Sequence, residues 1–136
     1  MNGQDPGRNP SQGPSHGPSQ EGPLHALYRR WLDDLWNGSP GAAAGIVSPD
    51  FTGHWPGREV RGPEGLAAAV TELREMFSEI SFTLEVGPFV EGDLVAARWT
   101  GRGVTPEGTV TFTGNDILRA SEGRFAEYWV GTVTQP

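Results

Sequence analysis

The stretch that decides the fold is Thr113–Val133, TGNDILRASEGRFAEYWVGTV. Val, Ile, Phe, Tyr and Trp lie on both sides of Ser121-Glu122-Gly123. Two β-compatible arms are therefore joined by a short turn whose glycine supplies a residue able to take φ > 0. Within the first arm stands Asp116, a carboxylate directly ahead of Ile117 and Leu118. A charged group among core-type residues has to be satisfied or put to use.

The turn sets what Asp116 faces. A two-residue Glu122-Gly123 loop puts Asp116 opposite Trp129 and on one face with Glu127. A three-residue Ser121-Glu122-Gly123 loop puts it opposite Tyr128, with Leu118 and Val130 alongside. Local chemistry favours the second, because a type I turn accepts Ser-Glu before an αL glycine, whereas the first forces Glu122 to φ > 0. In that register Arg119 and Glu127 form a cross-strand ion pair on the outer face, and Trp129 becomes a dimer contact.

Upstream of this hairpin, Ile80, Phe82, Leu84 and Val86 alternate with Ser81, Thr83 and Glu85, the period of a strand with one wet face. Glu91-Gly92-Asp93 turns the chain into Leu94–Thr100, where Arg98 and Trp99 stand as the strand leaves the core. Pro106-Glu107-Gly108 turns it again, into Thr109–Ala120. Before the strands come helices. Leu24, Leu27, Tyr28, Trp31, Leu32, Leu35 and Trp36 follow a helical period over residues 24–37, and Leu66, Val70, Leu73 and Phe77 follow one over 63–77. Between them, Pro40–Val47 reads as a short helix, Phe51–Trp55 as a short strand and Arg58–Arg61 as its return. Helices followed by four antiparallel strands form an α+β pattern, in which a bent sheet covers the helical stripes.

Composition bounds the rest. The first 23 residues are rich in Gly, Pro and Ser, bury nothing and read as a disordered tail, in which a lone His16 has no partner to make a metal site. Residues 24–136 are the folded domain. The net charge is −7 and all ten basic residues are arginines in no stripe, so nucleic acid is excluded as an expected partner. With no cysteine, disulfides and thiolate chemistry drop out. No apolar run approaches the roughly 18 residues of a membrane span, and there is no signal-peptide core, so the expectation is a cytoplasmic protein without membrane contact. No His-x-x-x-His spacing, phosphate cradle or nucleophile elbow occurs, so neither metal nor cofactor is expected.

Several segments then align with a known pattern: Asp50-Phe51 with His54-Trp55-Pro56-Gly57, Gly62–Leu66, Gly92–Thr100, Asp116–Arg119 and Gly123–Trp129. In order and spacing they resemble the SnoaL-like polyketide cyclase family of the NTF2-like superfamily over about residues 24–133. The resemblance implies a cone of about three helices in a strongly bent, mostly antiparallel sheet, a cavity at one end, and a homodimer formed through the sheet. It also implies a catalytic Asp just after the last-strand aromatic, where this chain has Val130. The strand Asp116–Arg119 is similar as well to the one that carries a protonated Asp in ketosteroid isomerases. There Trp31 matches a helix tyrosine, and the general base falls near His54 or Trp55. That isomerase is a known case of a carboxylic acid kept neutral by an apolar site.

Three functions follow. In the first, a cofactor-independent cyclase, isomerase or lyase acts on a small apolar molecule, polyketide-like or terpenoid. Asp116 and His54 share proton transfer, and Tyr28, Trp31, Trp55, Arg98, Leu118, Tyr128 and Val130 shape the pocket. In the second, the protein binds a small molecule without catalysis. In the third, it only dimerises. Asp116 is alternatively a buried structural carboxylate bonded to backbone or Arg98, and His54 a structural hydrogen bond at a strand end.

Overall fold

The structure, a computed structural model, describes residues 21–134. The expected tail, His16 included, therefore lies outside the described residues apart from its last three, of which Pro23 opens the first helix. Helix α1 (Pro23–Arg30) starts with proline at its first position, where a missing N–H costs nothing. It runs straight into a π-helical segment, Trp31–Trp36. There the Asn37 N–H reaches the Leu32 carbonyl at 2.9 Å, a bond one residue longer than in an α-helix. The wider winding turns Trp31-Leu32 and Leu35-Trp36 inward together, which is how one short segment buries two tryptophans and two leucines. Asn37 then clamps the helix end to the sheet: its side chain donates to the Phe82 carbonyl at 2.8 Å and accepts the Phe82 N–H at 2.7 Å.

A 3₁₀ turn (Pro40–Ala42) leads into α2 (Ala43–Ile46), and α3 (Gly62–Glu75) packs Leu66 and Val70 into the core. The strands are β1 (Val47–Trp55), β2 (Arg58–Arg61), β3 (Glu79–Glu91), β4 (Leu94–Thr105), β5 (Gly108–Ser121) and β6 (Arg124–Thr134). They form one curled sheet in the order β2-β1-β6-β5-β4-β3, parallel only between β1 and β6. This is the expected α+β cone. β1 is longer than the expected Phe51–Trp55 because Val47, Ser48, Pro49 and Asp50 belong to the strand as well.

Two register features correct the sequence reading. The β5–β6 connection is the two-residue loop Glu122-Gly123, with φ of 53° and 81°, and not the three-residue loop expected. Ser121 pairs with Arg124 and Ala120 with Phe125, but Arg119 pairs with Glu127, so Ala126 is an extra residue in a β-bulge. The bulge restores the parity that the shorter loop would have reversed. Asp116, Leu118, Tyr128 and Val130 thus share the inner face after all, with Asp116 opposite Val130. In β3, a bulge between Leu84 and Val86 sends Val86 outward beside Arg98, half-exposed, instead of into the expected inner row.

Aromatic packing fills the core around Trp31, which is fully buried. Its ring lies 4.7 Å from Tyr128, 5.8 Å from Phe125 and 5.9 Å from Trp36, each at a steep angle. Such pairs contribute about 0.5–1.5 kcal/mol beyond area burial, so they fix the helix against β6 as well as filling space.

Candidate functional site

β5 places Asp116 on the inner face, and the side chain is 2% exposed, the one charged residue buried among the described residues. Its Oδ1 accepts from Trp99 Nε1 at 2.9 Å and from the Tyr128 hydroxyl at 2.7 Å, and its Oδ2 accepts from the Tyr28 hydroxyl at 2.9 Å. Trp31 Nε1 is buried without a hydrogen-bond partner of acceptable geometry, yet its indole is close enough to favour the ionised carboxylate. The donors come from α1, β4 and β6, elements brought together only by the fold.

Trp99 reaches the carboxylate because its ladder partner is Gly114. A Cβ at Gly114 would stand 2.2 Å from Trp99 Cζ2, so only glycine leaves the indole room to lie across β5. This is the strongest requirement for a glycine near the site.

Among the described residues, no cation offsets Asp116. Taking a carboxylate out of water is costly, and hydrogen bonds from neutral donors offset that cost only in part. Burial wins, and the carboxyl's pKa is raised above its ordinary value against the pull of Tyr128, Trp99 and Tyr28. The same burial, with the neighbouring carboxylate, raises the Tyr28 and Tyr128 pKa values, so both hydroxyls keep their protons at neutral pH and donate.

Asp116 lies on the wall of a cavity of about 230 Å³. Trp36, Trp55, Phe82, Trp99, Phe112 and Tyr128 supply its aromatic wall. Leu32, Leu73 and Val130 supply aliphatic surface, and Thr132 a hydroxyl. This volume counts against a protein that only dimerises, since small-molecule sites are apolar cavities with a few placed polar groups.

Of the expected site residues, Asp116, Trp55, Tyr128 and Val130 line this cavity. Tyr28, Trp31 and Leu118 are buried and do not line it. Arg98 belongs to the other face: it pairs with Asn115, one residue off Asp116, and its Nη1 donates to Asn115 Oδ1 at 3.3 Å. His54 is also outside. It pairs with Trp129 across the parallel β1–β6 ladder and its ring stacks on that indole at 5.6 Å. Its Nε2 is 2.7 Å from Glu127 Oε2. The expected sharing of a cavity by Asp116 and His54 therefore does not occur, because neighbouring positions on a strand point to opposite faces. Glu127 also accepts from Arg119 Nε at 3.3 Å, and the two partners hold its carboxyl below the usual range, His54 contributing most.

Trp99 and Phe112 were given no place in a pocket by sequence reasoning. A tryptophan facing a glycine across a hairpin was the available signal for Trp99. Among the described residues, no three His, Cys, Asp or Glu side chains gather as a metal site.

Comparison with known proteins meets this geometry. The family model for the SnoaL-like domain matches residues 28–128. No curated protein matches the chain. Among solved structures, a Bacillus cereus ATCC 10987 protein described as a polyketide cyclase is 26% identical, with a TM-score of 0.72, over 81% of this chain and 74% of that one. TsrD from Streptomyces laurentii is 26% identical, with a TM-score of 0.69, over 81% and 87%. A ketosteroid isomerase-like fold protein from Catenulispora acidiphila DSM 44928, crystallised with trimethylamine, is 17% identical, with a TM-score of 0.69, over 77% and 83%. At that identity the likeness is one of fold. A family match that spans most of the chain, on the cone and cavity just described, makes this protein a member of the SnoaL-like family.

Proposed function

We propose that this protein is a cofactor-independent cyclase or isomerase that acts by acid/base chemistry on a small, largely apolar molecule of polyketide-like or terpenoid type, with Asp116 as the proton carrier. One observation carries the reading. Among the described residues lining the cavity, Asp116 is the one carboxyl and no histidine accompanies it, and burial raises its pKa. Val130, directly opposite, cannot carry a second proton. A lone carrier suits a reaction that returns the proton it removes: the carboxylate takes a proton from one carbon and gives it back at another. Tyr128, protonated and bonded to the same carboxyl, steadies each charge state as it forms.

The test is a turnover screen of enolisable small ketones with Asp116→Asn as comparison. Turnover by the native chain that falls by about 10²-fold or more in the variant, with binding retained, supports the reading. Binding without turnover in the native chain overturns it in favour of a non-catalytic binder. That second reading draws on the three hydrogen bonds already occupying Asp116 and on Val130.

The partner in this reading is a second copy of the chain, in the cytoplasm. Trp129, Ile117, Ala96 and Phe89 are consecutive ladder partners across four strands. Trp129, Ile117 and Phe89 are 37%, 47% and 62% exposed, an apolar row that crosses the outer face. Light scattering over a concentration series tests it. A monomer at every concentration rejects the dimer, and cell fractionation tests the location.

A further inference from the structure

We infer that the cavity takes an alkylated ammonium cation, a tertiary or quaternary amine on a small apolar body, seated between the aromatic wall and Asp116. The inference deepens the small-molecule pocket of the proposed function and rests on it.

The wall is a connected series of rings. Tyr128 lies 5.1 Å from Trp55, Trp55 lies 6.4 Å from Trp36, and Trp36 lies 5.9 Å from Phe82. Phe82 lies 5.3 Å from Trp99, and Trp99 lies 5.9 Å from Phe112. Interplanar angles run from 52° to 89°, so the rings meet tilted or edge to face instead of stacking in a layer. Aromatic faces attract cations, tryptophan most of all, and three of these rings are tryptophans.

Charge points the same way. Among the described residues, no arginine or histidine lines the cavity, and the chain has no lysine. The donors that hold Asp116 are neutral indole and phenol groups, so nothing among the described residues supplies a positive charge beside a carboxyl that burial already disfavours in its ionised form. A neutral ligand leaves the carboxyl in that state, and a cation seated against it favours the carboxylate and supplies its counter-charge. The net charge of −7 further favours entry of a cation.

The wall also selects the kind of cation. A primary ammonium or a metal ion gives up strong hydration and needs several acceptors in return. Apart from Asp116, the wall's side-chain oxygens are the Thr132 and Tyr128 hydroxyls. An alkylated ammonium has few or no N–H groups to satisfy, carries a diffuse charge and presents methyl groups to the rings. It fits what is present.

The experiment compares benzyltrimethylammonium with its neutral carbon isostere, neopentylbenzene, by isothermal titration and by quenching of tryptophan fluorescence. The cation is expected to bind the native protein at least about tenfold more tightly. Asp116→Asn and Trp55→Leu should each bring the ratio of the two affinities toward one while the neutral probe still binds. Equal binding of both probes to the native chain overturns the charge inference and leaves the small-molecule pocket standing. Binding of neither overturns both. If a variant fails to fold, the ratio in the native protein decides by itself. Turnover is not read, so loss of the acid/base reading would not affect the result.

Discussion

Asp116 stands directly opposite Val130 on the β5–β6 ladder, and both line one cavity. The pair puts one carboxyl on the cavity wall where facing strands could have held two. Val130→Asp would place a second carboxylate across from the first, within about 5.5 Å at Cβ. Two such groups cannot both ionise cheaply, so the variant should lose about 1–3 kcal/mol at pH 8 and recover much of it near pH 5. Urea denaturation at the two pH values measures it; equal losses at both would show that the carboxylates do not interact.

The hydrogen bonds to Asp116 differ in what they touch. Tyr28 bonds Oδ2 but does not line the cavity, so Tyr28→Phe removes a donor without changing the surface that a ligand meets. A stability loss of about 1–3 kcal/mol is expected, with ligand affinity within about threefold of native. Denaturant midpoints and titrations with a bound probe check the two halves separately.

Gly114 is the space that Trp99 occupies. Gly114→Ala brings a methyl group to within 2.2 Å of the indole unless something moves. The ring must swing away from Asp116 or β5 must shift, at a cost of about 1–3 kcal/mol as overpacking and with loss of the Trp99 Nε1 bond. A shift of the indole N–H resonance with lowered stability is the expected signature. An unchanged resonance would place Trp99 elsewhere than described.

The raised pKa of Asp116 has a definite sign in stability. The folded chain holds this proton to higher pH than the unfolded chain, whose aspartate titrates near the ordinary 3.8. The contribution is complete below 3.8 and is lost as pH rises from there through the folded pKa. Stability should therefore decline over that interval, and Asp116→Asn should lack that part of the decline. Denaturation of both proteins across a pH series gives the difference. The lowered pKa of Glu127 acts oppositely, since its stabilisation is lost as pH falls through its folded value.

The outer-face cluster is a surface feature. His54→Ala removes a bond to Glu127 between partly exposed side chains, worth about 1 kcal/mol or less. Ligand binding in the cavity should stay within about twofold, because His54 does not line it. A large loss of binding would show that the two faces are coupled through β1 and β6.

The sequence by itself determined the elements, the order of the strands in the final meander and the presence of a carboxylate on an apolar strand. These are written in local period, in turn residues and in the segments shared with a family. It also pointed to the correct face for Asp116, but through a loop that does not form. The real connection is one residue shorter and Ala126 adds that residue back as a bulge, so two local deviations cancel in parity. Only the tertiary structure decided what surrounds the carboxylate. Tyr28 and Asp116 are 88 residues apart, and Trp99 approaches only over Gly114. His54 and Arg98 left the pocket for a similar reason. The inward or outward direction of a strand residue depends on pairings with other strands, and one bulge in a partner reverses it.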